Sequence, residues 1–118
     1  MHPDLKAHVL DPKGVGSLDA PDAEAQGDNQ VCGDSLRIQL QIQKGNIRAL
    51  RWKAKACPST LALASLAFLC YEGAALPSGP PFEALRASLA QHGGLRSYES
   101  HALHLVEETL AKALASLP

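Results

Sequence analysis

The chain has 118 residues, with 11 Lys+Arg against 12 Asp+Glu and a formal net charge of −1. That length fits one domain of the usual ~100–200 residues, and a composition of 46% hydrophobic and 19% charged residues excludes a fully disordered chain. The near-neutral balance gives no support to general electrostatic binding of nucleic acid or membrane. No apolar run approaches the ~18 residues of a membrane helix, and Met1-His2-Pro3-Asp4 lacks the basic and apolar regions of a signal peptide. The expectation is a single cytoplasmic domain over residues 1–118.

In chain order, residues 4–10 read as a short helix that stops at Asp11-Pro12, because the residue before a proline is driven out of helical geometry. Gly14-Val15-Gly16 and the acidic, Ala-rich run 17–29 read as loop. Residues 1–31 together read as a partly mobile arm with few apolar residues to hold it down. Leu36, Ile38, Leu40 and Ile42 then alternate with Arg37, Gln39, Gln41 and Gln43, the period of a strand with one buried face. Lys44-Gly45-Asn46 supplies a turn, and residues 47–55 alternate again, with Leu50, Trp52 and Ala54 opposite Arg51, Lys53 and Lys55. This predicts a β-hairpin with one apolar face and one basic-to-polar face.

Residues 59–73 form an Ala- and Leu-rich helix, apolar nearly all round and therefore buried, that ends at Gly73. Residues 74–81 are a loop marked by Pro77, Gly79, Pro80 and Pro81. A short helix over 82–91 ends at Gly93-Gly94, and a last helix over 98–117 places Leu103, Val106, Leu110, Leu114 and Leu117 on one stripe. Strands followed by helices predict an α+β domain: a small antiparallel sheet with a central β-hairpin, packed on one face by C-terminal helices.

Three cysteines, Cys32, Cys57 and Cys70, are an odd count and no disulfide framework. Cys32-Gly33-Asp34 lies at the entrance to the first hairpin strand. Cys57 follows the second strand, with Pro58 suited to the first turn of the next helix. A thiol there faces the positive end of the helix dipole, which favours thiolate. In a hairpin the start of one strand lies near the end of the other, so Cys32, Asp34 and Cys57 converge at one end of the sheet. Two readings fit: a metal or sulfur-chemistry site, or two buried cysteines and a capping aspartate. Cys70 lies farther along the same helix, ~20 Å from Cys57 at 1.5 Å per residue, and reads as a core cysteine.

The ordered set of motifs resembles the NifU/IscU-type (NifU N-terminal domain) iron–sulfur cluster assembly scaffolds. Asp11-Pro12-Lys13-Gly14-Val15-Gly16 resembles that family's Asn-Pro-Arg-Asn-Val-Gly, and Cys32-Gly33-Asp34 its Cys-Gly-Asp. Cys57 before Ser59 matches the second cluster cysteine. Gly94-Leu95 leading to His101 matches the approach to the third, and Leu105-Val106-Glu107 the final helix. Two departures stand out. Where the family has His-Cys, this chain has His101-Ala102, so the third cluster cysteine is absent. Where the chaperone-served member has Leu-Pro-Pro-Val-Lys, this chain has Leu95-Arg96-Ser97-Tyr98-Glu99, so that recognition motif is absent too.

The resemblance implies a scaffold that binds a labile Fe–S cluster, expected as [2Fe-2S], or iron. Cysteine desulfurase would be its sulfur source and apo-proteins its recipients. The implied ligands are Cys32, Asp34, Cys57 and His101. Imidazole can replace thiolate at iron, and a harder carboxylate makes for a labile cluster that suits a donor. The same set would also satisfy tetrahedral zinc in a zinc-stabilised or metal-free binding protein of sulfur trafficking. An enzyme is not expected; persulfide transfer through Cys57 is the nearest chemistry to catalysis. His104 reads as surface, and His2, His8 and His92 carry no functional reading. Arg37, Arg51, Lys53 and Lys55 form a basic strip on the solvated hairpin face. With five aromatics in the chain, that strip lacks the stacking partners of a nucleic-acid groove.

Overall fold

A computed structural model describes residues 1–117, apart from the side chain of Tyr98. The elements run α1 (Pro3–Leu10), β1 (Ala23–Asn29), β2 (Asp34–Gln43), β3 (Asn46–Lys55), α2 (Pro58–Tyr71), α3 (Glu83–Gln91) and α4 (Ser100–Ala115), with a short 3-10 turn at Ser97–Glu99. The three strands form one antiparallel sheet in the order β1-β2-β3. The fold is the expected α+β arrangement, with α4 lying across β1 and β2 and α2 packed between α4, α1 and β3.

The β2–β3 hairpin follows its alternation. Leu36, Ile38, Leu40, Leu50 and Trp52 are buried on the helix-facing side, and Arg37, Lys53 and Lys55 are exposed on the other. Lys44 and Gly45 both have positive φ, 54° and 76°, as a two-residue turn matched to the strand twist requires. The basic strip is half neutralised. Arg37 pairs with Glu24 at 2.6 Å and Arg51 with Glu72 at 2.5 Å, while Lys53 and Lys55 stay exposed. The 11–16 segment lies along β3: Trp52 donates its backbone N–H to Gly14 O at 3.0 Å and its indole N–H to Lys13 O at 2.7 Å.

Two expectations are corrected. The loop expected over residues 17–29 contains β1, which pairs with β2 from Ala23↔Leu40 to Asn29↔Asp34. Its inward positions are Ala23, Ala25 and Gly27, too small to register as an apolar alternation, and they are small because α4 crosses close above them. A Cβ on Gly27 would lie 2.1 Å from Thr109 Oγ1 and 3.1 Å from Leu105 Cδ1. Gly27→Ala is therefore expected to push α4 off the sheet edge and cost about 1–3 kcal/mol, read as a lower midpoint in thermal or urea unfolding. The second correction concerns α4. Its buried stripe runs through Ala102, Leu105, Val106, Thr109, Leu110 and Ala113, whereas Leu103, Leu114 and Leu117 lie half-buried at its border.

Two buried carboxylates tie the helices together. Glu107 on α4 accepts two bonds from the Arg86 guanidinium, at 2.7 and 2.9 Å, and the Phe82 backbone N–H at 3.1 Å. Glu99, in the turn before α4, accepts the Ser59 hydroxyl at 2.5 Å. Among the described residues, no buried side-chain nitrogen or oxygen lacks a hydrogen-bond partner, and no helix is long and apolar enough to cross a membrane.

Candidate metal centre

Strand register brings the motif residues together. Ser35 pairs with Lys55, so Asp34, at the start of β2, lies beside the segment that carries the chain out of β3 to Cys57. Cys57 is the N-cap of α2, in an extended conformation with Pro58 as the first helical residue, and its own side chain makes no cap bond. Asp34 caps in its place. Its Oδ1 accepts the Cys57 backbone N–H at 3.0 Å and its Oδ2 the Thr60 hydroxyl at 3.0 Å. Cys32 stands in the tight turn between β1 and β2, closed by the Gly33 N–H on Asn29 O at 2.8 Å, with Gly33 at a φ of 74° that an L side chain would resist.

His101 reaches the same place from the first turn of α4, with its Nε2 3.5 Å from Cys57 Sγ. Cys32 Sγ, an Asp34 carboxylate oxygen and a His101 ring nitrogen all lie within 4.8 Å of one another. Ligands on a tetrahedral ion with ~2.0–2.3 Å bonds stand roughly 3.3–3.8 Å apart, so closing this set takes about an ångström of side-chain movement. Asp34 is buried, Cys57 and His101 are half-buried, and Cys32 is exposed, which leaves one side of the cluster open to solvent.

Burial alone would raise the Asp34 carboxyl. Hydrogen bonds from the Cys57 thiol and backbone, the Thr60 hydroxyl and the Cys32 thiol outweigh it and hold the group below the usual carboxylate range. Asp34 is thus an anion that caps α2 and still has lone pairs to offer a cation.

The remaining candidates lie elsewhere. Cys70 is half-buried between α2 and α3, its thiol on Ala84 O at 3.6 Å and pushed up by burial. His104 pairs on the surface with Glu108 at 3.0 Å. His8 and His92 pack edge-on at 5.4 Å between centroids, with His8 Nδ1 2.7 Å from Ser65 Oγ, and serve the docking of α1.

The sequence model of the NifU-like N-terminal domain matches residues 2–118, nearly the whole chain. This chain belongs to that family. It is 29% identical over 112 residues to the iron–sulfur cluster assembly scaffold protein IscU of Azotobacter vinelandii, covering 91% of this chain and 85% of that protein. It is 24% identical over 108 residues to scaffold protein IscU 1 of Archaeoglobus fulgidus, covering 91% and 69%. Among solved structures, the N-terminal NifU-like protein of Brucella abortus superposes with a TM-score of 0.70 at 18% identity, covering 98% of this chain and 92% of that one.

Within this NifU-like domain, Ala102 is completely buried in α4 beside His101. The His101 imidazole is the candidate donor that α4 brings to the rim. Three residues around the candidate site had no role in the sequence reading. Thr60 holds Asp34 and lies 3.6 Å from Cys57 Sγ, and Ser59 and Glu99 bond to each other beneath the rim. Ser59 and Thr60 fall on the first turn of a buried helix, where a hydroxyl is a weak signal of a polar contact. Glu99 has no sequence signal that ties it to Ser59.

Proposed function

We propose that this NifU-like domain is a scaffold on which an iron–sulfur cluster is assembled and from which it is passed on. The observation that carries the reading is the convergence of Cys32, Asp34 and His101 within 4.8 Å, with Cys57 Sγ 3.5 Å from the same imidazole, at a solvent-open rim. Cluster iron takes thiolates and accepts imidazole in their place. Cys32 and Cys57 are the thiolate ligands, His101 the nitrogen ligand, and Asp34 the hard oxygen ligand that keeps the cluster labile. Four donors suit a [2Fe-2S] unit. The names of the IscU relatives support the same reading, and the domain acts as one unit over residues 1–118.

The protein holds cargo and is not a catalyst. Sulfur arrives as a persulfide on a cysteine desulfurase. A scaffold thiolate attacks the outer sulfur, the partner's S–S bond breaks, a new S–S bond forms on the scaffold, and the partner leaves as a thiolate. Two electrons from an external reductant, a dithiol or a reduced electron carrier, then release each transferred sulfur as sulfide and regenerate the scaffold thiolate, and recipient apo-proteins take the finished cluster. All three cysteines are free thiols, a state that persists in a reducing compartment such as the cytoplasm.

Anaerobic reconstitution with iron and sulfide tests this. Stoichiometric iron and sulfide with visible absorption are expected in the unaltered protein, with a loss of about tenfold or more in Cys32→Ser or Cys57→Ser and no loss in Cys70→Ser. Colourless protein carrying about one zinc per chain, or full iron retention in Cys57→Ser, would overturn the cluster reading.

A further inference from the structure

Two buried groups beneath the rim form a second connection between the segments that carry Cys57 and His101. Ser59 Oγ donates to Glu99 Oε2 at 2.5 Å, with Ser59 6% and Glu99 4% exposed. The other carboxylate oxygen accepts the Arg96 backbone N–H at 3.3 Å. Glu99 thereby closes the turn leading into α4 and fastens that turn to the first turn of α2. Ser59 lies just past Cys57, and Glu99 just before His101. The Ser59–Glu99 bond spans 40 residues and the Cys57–His101 contact 44, so the two join the same pair of segments side by side.

The strengths of the two contacts are unequal. A half-buried thiol and imidazole 3.5 Å apart hold each other weakly, and the first turn of a helix is where backbone bonding is incomplete and fraying begins. A hydroxyl donating to a buried carboxylate is a short, charge-assisted bond. Breaking it leaves an anion in a site with little water, so it resists opening. The weak contact at the rim is registered by the strong one below it. We infer that Ser59 and Glu99 are positioning residues for the metal centre: their hydrogen bond sets where the His101 imidazole stands relative to Cys57, and so enables the histidine to serve as a ligand. The inference rests on the metal-centre reading, because it takes His101 as a donor.

Titration of the purified, reduced chain with Co2+ alone tests it, reading the thiolate charge-transfer and ligand-field bands, with unfolding curves run on the same samples. Ser59→Ala or Glu99→Ala is expected to weaken Co2+ binding about 10–100-fold and to shift the ligand-field bands toward those of His101→Ala. In a His101→Ala background the same changes are expected to cost less than about twofold, because the group they position is gone. Glu99→Gln is expected to stay within about threefold of the parent, since its amide can donate to Ser59 Oγ while its carbonyl accepts the Arg96 N–H. The pair Ser59→Ala/Glu99→Gln removes the bond without stranding a buried charge, and decides the matter if an alanine variant does not fold. Equal losses in both backgrounds, or no loss in the parent background, would overturn the positioning role alone. Failure of the unaltered chain to bind Co2+ would overturn the metal centre and the positioning role together.

Discussion

Asp34→Ala is expected to cost about 2–4 kcal/mol of stability, seen as a lower midpoint in urea unfolding at neutral pH. The sum has two parts. Loss of the cap on the Cys57 backbone N–H is an N-cap deletion, typically about 1 kcal/mol. Loss of the carboxylate acceptor leaves the Thr60 hydroxyl, on a residue with 0% exposure, only its weak contact with Cys57 Sγ at 3.6 Å, at about 1–3 kcal/mol. Asp34→Asn separates structure from charge. Its carbonyl can still accept the Cys57 N–H and its amide can donate to the Thr60 oxygen, so the fold is expected to lose only about 1 kcal/mol. The anionic oxygen of the proposed ligand set is gone, however, and iron or Co2+ content on reconstitution is expected to fall as it does for a cysteine variant. An asparagine variant with full metal content would show that Asp34 caps α2 and does no more. An alanine variant as stable as the parent would show that Cys57 and Thr60 find other partners.

The position of Asp34, fixed at the start of β2 by strand register, explains why the candidate site was legible in part. The hairpin could be read from the alternation of residues 36–43 and 47–55, and a hairpin brings the start of one strand to the end of the other. Cys32, Asp34 and Cys57 were therefore placed at one end of the sheet by strand geometry alone. His101 came from the motif order, because nothing in the periodicity of residues 98–117 says which face of α4 meets α2.

The rest was hidden for physical reasons. β1 has Ala23, Ala25 and Gly27 on its inner side, and the close passage of α4 that demands small residues there also erases the hydrophobic signal of a strand. On α4 the eye follows leucines, whereas the tightly packed stripe includes Ala102, Thr109 and Ala113, which lie where helix and sheet come closest. The basic strip read as four like charges, but Glu24 comes from the unrecognised strand and Glu72 from the end of α2, and each neutralises one arginine. Polar contacts across 40 residues, such as Ser59 with Glu99, leave no pattern that spacing can reveal.

Acid is expected to unfold the protein in two stages, because the histidine and the carboxylates that are held away from their ordinary values are all held below them. His8 is held below its ordinary value of 6.5, by burial first and then by the charges of His92 and Lys13. Glu107 is held below 4.5 chiefly by its bonds from Arg86 against the opposing effect of burial. Glu99 is held below the same value chiefly by Ser59, and Asp34 lies below 3.8. A group whose pKa is lower folded than unfolded takes up protons more readily in the unfolded chain. Its contribution is intact above the unfolded pKa and is lost as pH falls through the folded one. A shallow loss of midpoint temperature is therefore expected to begin as pH drops below 6.5, where unfolded His8 first protonates. A steep loss follows below 4.5, where the unfolded carboxylates do so. His8→Gln should flatten the first stage and leave the second. Glu107→Gln keeps an acceptor for the Phe82 N–H but surrenders the two-point grip on Arg86. It should cost about 1–2 kcal/mol at pH 7, or ~4–8 °C, and shrink the second stage. A parent melting curve that stays level from pH 7 to pH 3 would contradict the carboxylate network. A second stage unchanged in Glu107→Gln would move its origin to Asp34 and Glu99, the two buried carboxylates beside the candidate metal centre.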